Sequence, residues 1–188
     1  PLDMDVRAFL EHLAADRPRE GRKLLERHLP LPAVLTAVCD HPCENACLRR
    51  DLGGSLAVSA LERYCMKAVP EQSRPLIRPP KGQKLAVLGA GLAGLTAAFD
   101  ISHKGFAVTL FHENAREDAL LAAFPSLDRA LPEAELKALE KFHVSFVSAS
   151  LDEALLERCT EEYSAVFVDA SCCAFAPSRE ETESATLL

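Results

Sequence analysis

The sequence predicts an α/β chain in two parts, an all-helical cysteine-rich domain followed by a domain built on a parallel β-sheet. Three observations support this prediction. Cysteines recur every four residues at Cys39, Cys43 and Cys47. A proline-rich stretch covers residues 70–83, and a glycine-rich turn at residues 89–94 joins a strand pattern to a helix pattern. The composition is that of a globular chain, since 48% of the 188 residues are apolar and 26% are charged.

Charge is divided unevenly along the chain and excludes some functions. Residues 1–83 carry 13 Lys and Arg against 11 Asp and Glu, whereas residues 84–188 carry 8 against 17. Because basic side chains dominate nucleic-acid binding, we expect no nucleic-acid partner. No apolar run approaches the roughly 20 residues that span a bilayer, and the N-terminus lacks the pattern of a secretory signal. We therefore expect no membrane span and a cytoplasmic protein, processed or truncated because the chain begins at Pro1.

The N-terminal part is predicted to be helical. Residues 3–28 have the periodicity of two short helices, the second opened by Pro18, and a third helix is expected over Leu56–Lys67. The cysteine run lies between them as an irregular loop with helical fragments. These patterns predict a helical domain over residues 1–69 and a proline-rich linker over residues 70–83.

Residues 84–177 alternate strand and helix patterns. The expected strands are Lys84–Leu88, Ala107–Phe111, Val144–Val147 and Ala165–Val168, and the expected helices are Ala93–His103, Glu133–Phe142 and Leu151–Cys159. This alternation favours a parallel, doubly wound sheet. The polar and acidic residues 178–188 are expected to form a disordered tail.

The turn after the first strand has the sequence Gly89-Ala90-Gly91-Leu92-Ala93-Gly94. In a Rossmann-type fold the first glycine allows a tight turn, the second lets backbone approach a pyrophosphate, and the third lets the helix pack against the strand. The helix N-terminus then offers N–H groups to the phosphates. An acid after the second strand binds the ribose, and His112 and Glu113 occupy that place. We expect these residues to bind a dinucleotide, with a Rossmann-type fold that binds none as the alternative.

The cysteine run has the character of a metal site. Thiolates bind iron–sulfur clusters and zinc, generally four at a time. Cys39, Cys43 and Cys47 supply three, and Cys65 on the third helix is the expected fourth, with Glu62 one turn earlier as the alternative. Structural zinc, and small buried cysteines without metal, stay open as other interpretations. We find no nucleophile–base pair and no paired carboxylates, so no catalytic residue is predicted.

The order of these features resembles a known family. The segment Val38–Cys47 with its three cysteines, the helix sequence Val58–Tyr64 and a flavin-type glycine loop follow one another as in the small (beta) subunit of glutamate synthase and the N-terminal region of dihydropyrimidine dehydrogenase. The resemblance implies a helical domain with two [4Fe–4S] clusters, an FAD domain after it, and a nicotinamide-binding domain inserted later. It also implies that NADPH electrons pass through FAD to the clusters.

Several positions depart from the family pattern. Leu35 stands where the family commonly has a cysteine four residues before Cys39. His112 occupies the position of the acid after the second strand, and Asp169-Ala170-Ser171 replaces the family's Ala-Thr-Gly. The resemblance further implies a cysteine group upstream of Pro1, so we expect a fragment or a chain with one cluster fewer.

The sequence thus predicts a fragment or subunit of a flavin- and [4Fe–4S]-dependent oxidoreductase. Its helical iron–sulfur domain would precede a partial Rossmann-type (FAD/NAD-binding) parallel sheet. It would relay electrons from NAD(P)H through FAD to a cluster, with another oxidoreductase subunit or domain as the acceptor. The alternative is a degenerate, non-catalytic interaction or assembly module that has a structural metal site and no flavin.

Overall fold

The computed structural model describes residues 4–69 and 78–173. The chain divides into two compact units, Pro1–Arg74 and Pro75–Leu188. The predicted fold class is confirmed, because the described part of the first unit is helical and the second unit is an α/β structure around a parallel sheet.

The finer domain limits of the sequence analysis stay predictions. Most of the proposed linker, residues 70–77, and the proposed tail, residues 178–188, lie outside the described residues. Within the described residues, no helix is long and apolar enough to cross a membrane.

The first unit is a small helical bundle. Its described helices are α1 (Val6–Ala14), α2 (Pro18–His28), α3 (Pro32–Val38), α4 (Pro42–Asn45) and α5 (Val58–Ala68), with a 3-10 turn at Arg50–Leu52. Asp5 caps α1, since its carboxylate accepts the N–H of Ala8 at 2.9 Å, and Pro18 opens α2 as predicted. The core between α1, α2 and α5 contains Phe9, Leu25, Leu29 and Cys65.

Arg22 links α2 to the C-terminal end of α5 through hydrogen bonds. Its guanidinium donates to the backbone carbonyls of Met66, at 2.9 Å, and of Val69, while Nε donates to Glu26 at 2.6 Å. The last carbonyls of a helix have no partner inside the helix, so this arginine satisfies groups that would otherwise need water. It therefore fixes the position of α5, which bears both candidate fourth ligands.

The second unit is a four-stranded parallel sheet with helical crossovers. Its elements are β1 (Lys84–Leu88), α6 (Leu92–His103), β2 (Ala107–His112), α7 (Asp118–Ala123), α8 (Ala130–Leu139), β3 (Val144–Ser148), α9 (Glu153–Glu162) and β4 (Ala165–Val168). The strand order is β3-β2-β1-β4 and every neighbouring pair is parallel. The central strand β1 is the best buried, with Ala86, Val87 and Leu88 wholly enclosed. Helix α7 was not predicted, because six residues are too few to show a helical period.

The turn from β1 into α6 depends on two glycines, because a side chain at either position would be unfavourable. Gly89 has φ +104°, a conformation that side chains oppose. A Cβ on Gly94 would collide with the carbonyl oxygen of Gly89. Helix α6 can therefore begin directly against the end of β1, which is the role that the sequence predicts for the third glycine.

Replacing this third glycine is expected to destabilise the second unit. Alanine at position 94 gains about 1 kcal/mol of helix propensity, but forcing a methyl group into packed atoms costs ~1–3 kcal/mol, and a backbone carbonyl has little freedom to move. We expect Gly94→Ala to lower the free energy of unfolding by up to about 2 kcal/mol net, measured by denaturant unfolding. Gly82→Ala is the matched control, since nothing lies within 4 Å of its added Cβ. Equal stability of the two variants would contradict the close approach.

Candidate metal centre and glycine loop

The cysteine array begins where α3 ends. Cys39 is the C-cap residue, with extended backbone, and its N–H donates to the carbonyl of Leu35 at 3.0 Å. His41 adopts a left-handed conformation with φ 60° and donates its N–H to the Cys39 sulfur at 3.4 Å. Pro42 then starts the short helix α4, so Cys43 lies on the first turn of that helix.

Cys43 has a negatively charged neighbourhood. Its pKa is raised, first by partial burial and then by the charges of Glu62 and Cys39. The pKa of Glu62 is also raised, because its carboxyl is partly buried and lies near the carboxylate of Glu44. The negative charges of Glu62 and Cys39 thus act on the Cys43 thiol, and that of Glu44 acts on the Glu62 carboxyl.

Cys47 differs from Cys43 in its surroundings. Its pKa is lowered, because backbone N–H groups of Leu56 and Arg49 hydrogen-bond to the sulfur and because the Arg49 guanidinium is close. Donors that point at a thiolate favour its charged form. Hydrogen bonds to sulfur are also among the features that set the potential of an iron–sulfur centre.

Glu44 holds the array against α5, a role that the sequence analysis missed. Its Oε1 accepts the N–H of Ser59 in the first turn of α5 at 2.9 Å, and this hydrogen bond lowers the pKa of the Glu44 carboxyl. The bond caps α5 with a residue 15 positions upstream. Because that partner is distant along the chain, no local sequence signal reveals it.

Cys65 lies in the core of the first unit. It is 0% exposed and packs with Phe9 and Leu25, and its sulfur is 3.4 Å from where a Cβ on Gly21 would stand. Burial raises the pKa of its thiol. No group of three or more potential ligands is gathered as a metal site within residues 4–69 and 78–173. The complete set of Cys39, Cys43, Cys47 and Cys65 therefore stays a prediction.

The residues of the array nevertheless fit an iron–sulfur group. Thiolates are the ligands that such clusters require. Nδ1 of His41 is buried and finds no hydrogen-bond partner in the described part of the chain, so it is free to interact with a group held by the neighbouring cysteines. Cys43 is exposed, and Cys39 and Cys47 are partly exposed, which is unlike ordinary core cysteines.

The glycine loop is covered by the chain itself. Asp169 follows β4 and is 2% exposed. Its Oδ2 accepts the N–H of Gly94 at 2.9 Å. Its Oδ1 accepts the N–H and the hydroxyl of Ser171, at 3.1 and 2.6 Å. A Cβ on Gly91 would collide with Asp169 and would lie 2.7 Å from Ser171 Oγ and 2.9 Å from Cys172 Sγ. A dinucleotide pyrophosphate does not fit over Gly91 in this arrangement.

His112 and Glu113, the two residues expected to bind the ribose, both contact other residues of the second unit. Glu113 Oε1 accepts the N–H of Leu151 at 3.0 Å. His112 is the last residue of β2, and its Nδ1 lies 2.8 Å from the carbonyl oxygen of Asn114. Its ring also meets Phe146 edge-on. Dinucleotide binding by His112 and Glu113 stays a prediction.

The fold and the array define a class of protein, a cysteine-rich helical domain of the iron–sulfur type joined to a parallel α/β domain. Residues 1–74 match the family described as dihydropyrimidine dehydrogenase domain II, 4Fe-4S cluster. The resemblance seen in the sequence is confirmed, because residues 1–74 match this family model and a glutamate synthase small chain is among the similar proteins.

Three relatives illustrate the similarity. The NADPH-Fe(3+) oxidoreductase subunit beta of Geobacter sulfurreducens is 31% identical over 117 residues, 59% of this chain and 17% of the relative. The NADP(+)-dependent formate dehydrogenase subunit beta of Moorella thermoacetica is 28% identical over 202 aligned positions, 89% of this chain and 28% of the relative. The glutamate synthase [NADPH] small chain of Bacillus subtilis is 29% identical over 136 residues, 68% of this chain and 28% of the relative. The chain thus spans less than a third of each relative.

The proximity of Glu62 to Cys43 is testable through thiol reactivity. In metal-free protein, Glu62→Gln removes a negative charge that raises the Cys43 pKa, so the thiolate form appears at lower pH. Because only the thiolate is alkylated, we expect the pH profile of Cys43 alkylation by iodoacetamide to move to lower pH. Peptide mass spectrometry measures each thiol separately. Cys47, whose pKa is lowered chiefly by the backbone N–H groups of Leu56 and Arg49, is the internal control. An unmoved Cys43 profile would mean that the two groups are not neighbours.

Proposed function

We propose that this chain is the iron–sulfur part of an NADPH-linked oxidoreductase and that a [4Fe–4S] cluster on the cysteine array carries its electrons. The observation that supports this most is the array of Cys39, Cys43 and Cys47 within a segment of the matching 4Fe–4S family. The names of the relatives support the same chemistry, since two of them are oxidoreductase or dehydrogenase beta subunits that use NADPH or NADP(+).

The array suggests which residues hold the cluster. The Glu62 charge raises the pKa of both Cys43 and Cys65, but Cys43 is exposed whereas Cys65 is enclosed in the apolar core. We therefore favour Glu62 over Cys65 as the ligand that completes the set with Cys39, Cys43 and Cys47. Carboxylates bind iron in proteins through oxygen, so this substitution for a thiolate is chemically sound.

The protein's own groups would tune the centre. When bound, the cluster supplies reversible one-electron transfer. The N–H groups that point at the sulfurs of Cys39 and Cys47 stabilise negative charge there, and the exposed side chains of Arg49 and Arg50 add positive charge beside the array. Both effects favour the reduced form of a net negative site. The acceptor would be another oxidoreductase subunit or domain.

The second part of the proposal concerns the binding of FAD. The glycine loop Gly89–Gly94 is where the resemblance to the glutamate synthase small subunit puts the flavin nucleotide, with NADPH as the electron source. With Asp169 over the loop the residues do not fit its pyrophosphate, so no electron-transfer step is routed through FAD here.

Purification without oxygen tests the proposed function directly. We expect protein that contains iron and acid-labile sulfide and shows a broad visible absorption that reduction by dithionite bleaches. A colourless protein, or one that contains zinc and no iron, would contradict the proposal.

Single substitutions then separate the two candidate ligands. We expect Cys39→Ser and Cys43→Ser to lose most of the iron, and Glu62→Ala to lose a large share of it, because each removes a ligand. Cys65→Ala should keep its iron and cost about 1–2 kcal/mol of stability as a core truncation. Iron per chain, measured with circular dichroism as the folding control, decides between them.

Cys159→Ala is the matched control for these variants. It truncates a buried cysteine of the second unit and should not change the iron content. If Cys65→Ala lost its iron while its helical signal stayed intact, Cys65 would be the fourth ligand and our preference for Glu62 would be wrong.

A further inference from the structure

The N-terminus of α6 already carries an anion. Helix N-termini leave N–H groups without partners and favour negative charge. In this chain the N–H of Gly94 is satisfied by the Asp169 carboxylate at 2.9 Å, and the contact is buried. The chain thus fills, with its own side chain, the place where a nucleotide phosphate binds in other glycine loops.

The carboxylate is well held in this place. Besides Gly94, it accepts two hydrogen bonds from Ser171. The backbone supports it from both sides, since the Asp169 N–H continues the ladder to Leu88 at 2.8 Å and its carbonyl accepts the N–H of Cys172 at 3.0 Å. A buried carboxylate needs such partners, and Asp169 has them.

The same segment fills the space that the second glycine leaves. The side chains of Asp169, Ser171 and Cys172 all lie inside the contact distance of a Cβ built on Gly91, and Cys172 and Asp169 are equally close to one built on Gly89. We name residues 169–172 the cover segment. A pyrophosphate over Gly91 would need the volume and the N–H group that the cover segment now occupies, and it would meet a like charge there.

We propose that Asp169 is an internal occupant of the glycine loop that excludes a dinucleotide, so that FAD binds only when this carboxylate has left the N-terminus of α6. This inference rests on the proposed role of the loop in binding FAD. Asp169 thereby determines whether the loop takes a ligand, and the cover segment acts as an autoinhibitory contact.

A first measurement tests the contact without any flavin. The sequence has two Ala-Gly pairs, Ala90-Gly91 and Ala93-Gly94. Carbonyl-¹³C alanine combined with ¹⁵N glycine therefore selects two amide signals, and an Ala90→Ser variant identifies the one from Gly94. An amide bonded to a carboxylate resonates downfield. We expect the Gly94 signal to move upfield in Asp169→Ala and to stay in place in Asp152→Ala.

Asp152→Ala is a matched control for the same substitution. Asp152 also caps a helix of the second unit, with its carboxylate accepting the N–H of Leu155 at 2.8 Å. The control therefore makes the same charge change and the same kind of cap loss, but it does not touch the glycine loop. Asp169→Asn is the second test variant, because it removes the charge while its amide oxygen can keep the bond to Gly94 and so protect the fold.

A second measurement titrates the full chain with FAD and follows flavin fluorescence. We expect Asp169→Ala to bind FAD more tightly than the wild type by on the order of tenfold or more, since a hydrogen-bonded charge no longer competes. Asp169→Asn should lie between the two, and Asp152→Ala should match the wild type.

Each other outcome overturns the inference. A Gly94 amide that does not respond to Asp169→Ala shows that the carboxylate does not occupy the loop. Equal FAD affinity in wild type and Asp169→Ala shows that the carboxylate excludes nothing, and it leaves the proposed flavin role intact. If neither protein binds FAD, the inference and the flavin part of the proposed function both fall. The iron content is measured separately, so the iron–sulfur proposal is judged on its own.

Discussion

The second unit depends on one close backbone approach, that of Gly94 to the carbonyl of Gly89. Without a side chain at position 94, α6 starts directly at the end of the central strand. That start brings the first turn of α6 level with the end of β4, because β1 and β4 pair in parallel up to Leu88 and Val168. The next residue, Asp169, then meets the Gly94 N–H. The short turn between β1 and α6 therefore determines both where the helix begins and which side chain contacts the glycine loop.

The metal centre of the first unit rests on a different constraint. Cys39, Cys43 and Cys47 lie on a short stretch around α4, and the hydrogen bond from the Ser59 N–H to Glu44 ties that stretch to α5. Burial and nearby negative charge raise the pKa of both Cys43 and Glu62, so the surroundings oppose the charged form of each group. Perturbed groups of this kind mark functional sites. A cation shared among them would reverse the unfavourable balance.

The sequence specified the regular elements well and the contacts between distant residues poorly. Strands such as Ala165–Val168 and the fold class follow from local patterns of apolar residues, and the structure agrees with them. On α5, Tyr64 is 53% exposed, whereas its neighbour Cys65 is fully buried. One residue step on a short helix turns a side chain by about 100°. The sequence pattern of so short a helix does not determine that step, and the packing of Cys65 with Phe9 is a contact between residues distant along the chain.

The glycine loop shows why a sequence motif can be recognised although the group that binds next to it cannot be predicted. A glycine pattern records that something must come close to the backbone, and it carries no information about what comes close. In a dinucleotide-binding protein the space beside the second glycine admits a pyrophosphate, and in this chain it admits Asp169, Ser171 and Cys172. Both uses require the same glycines and the same helix N-terminus. The residue that distinguishes the two uses is Asp169, which lies 75 positions after Gly94. It follows β4, and its carboxylate occupies the loop in place of a bound ligand.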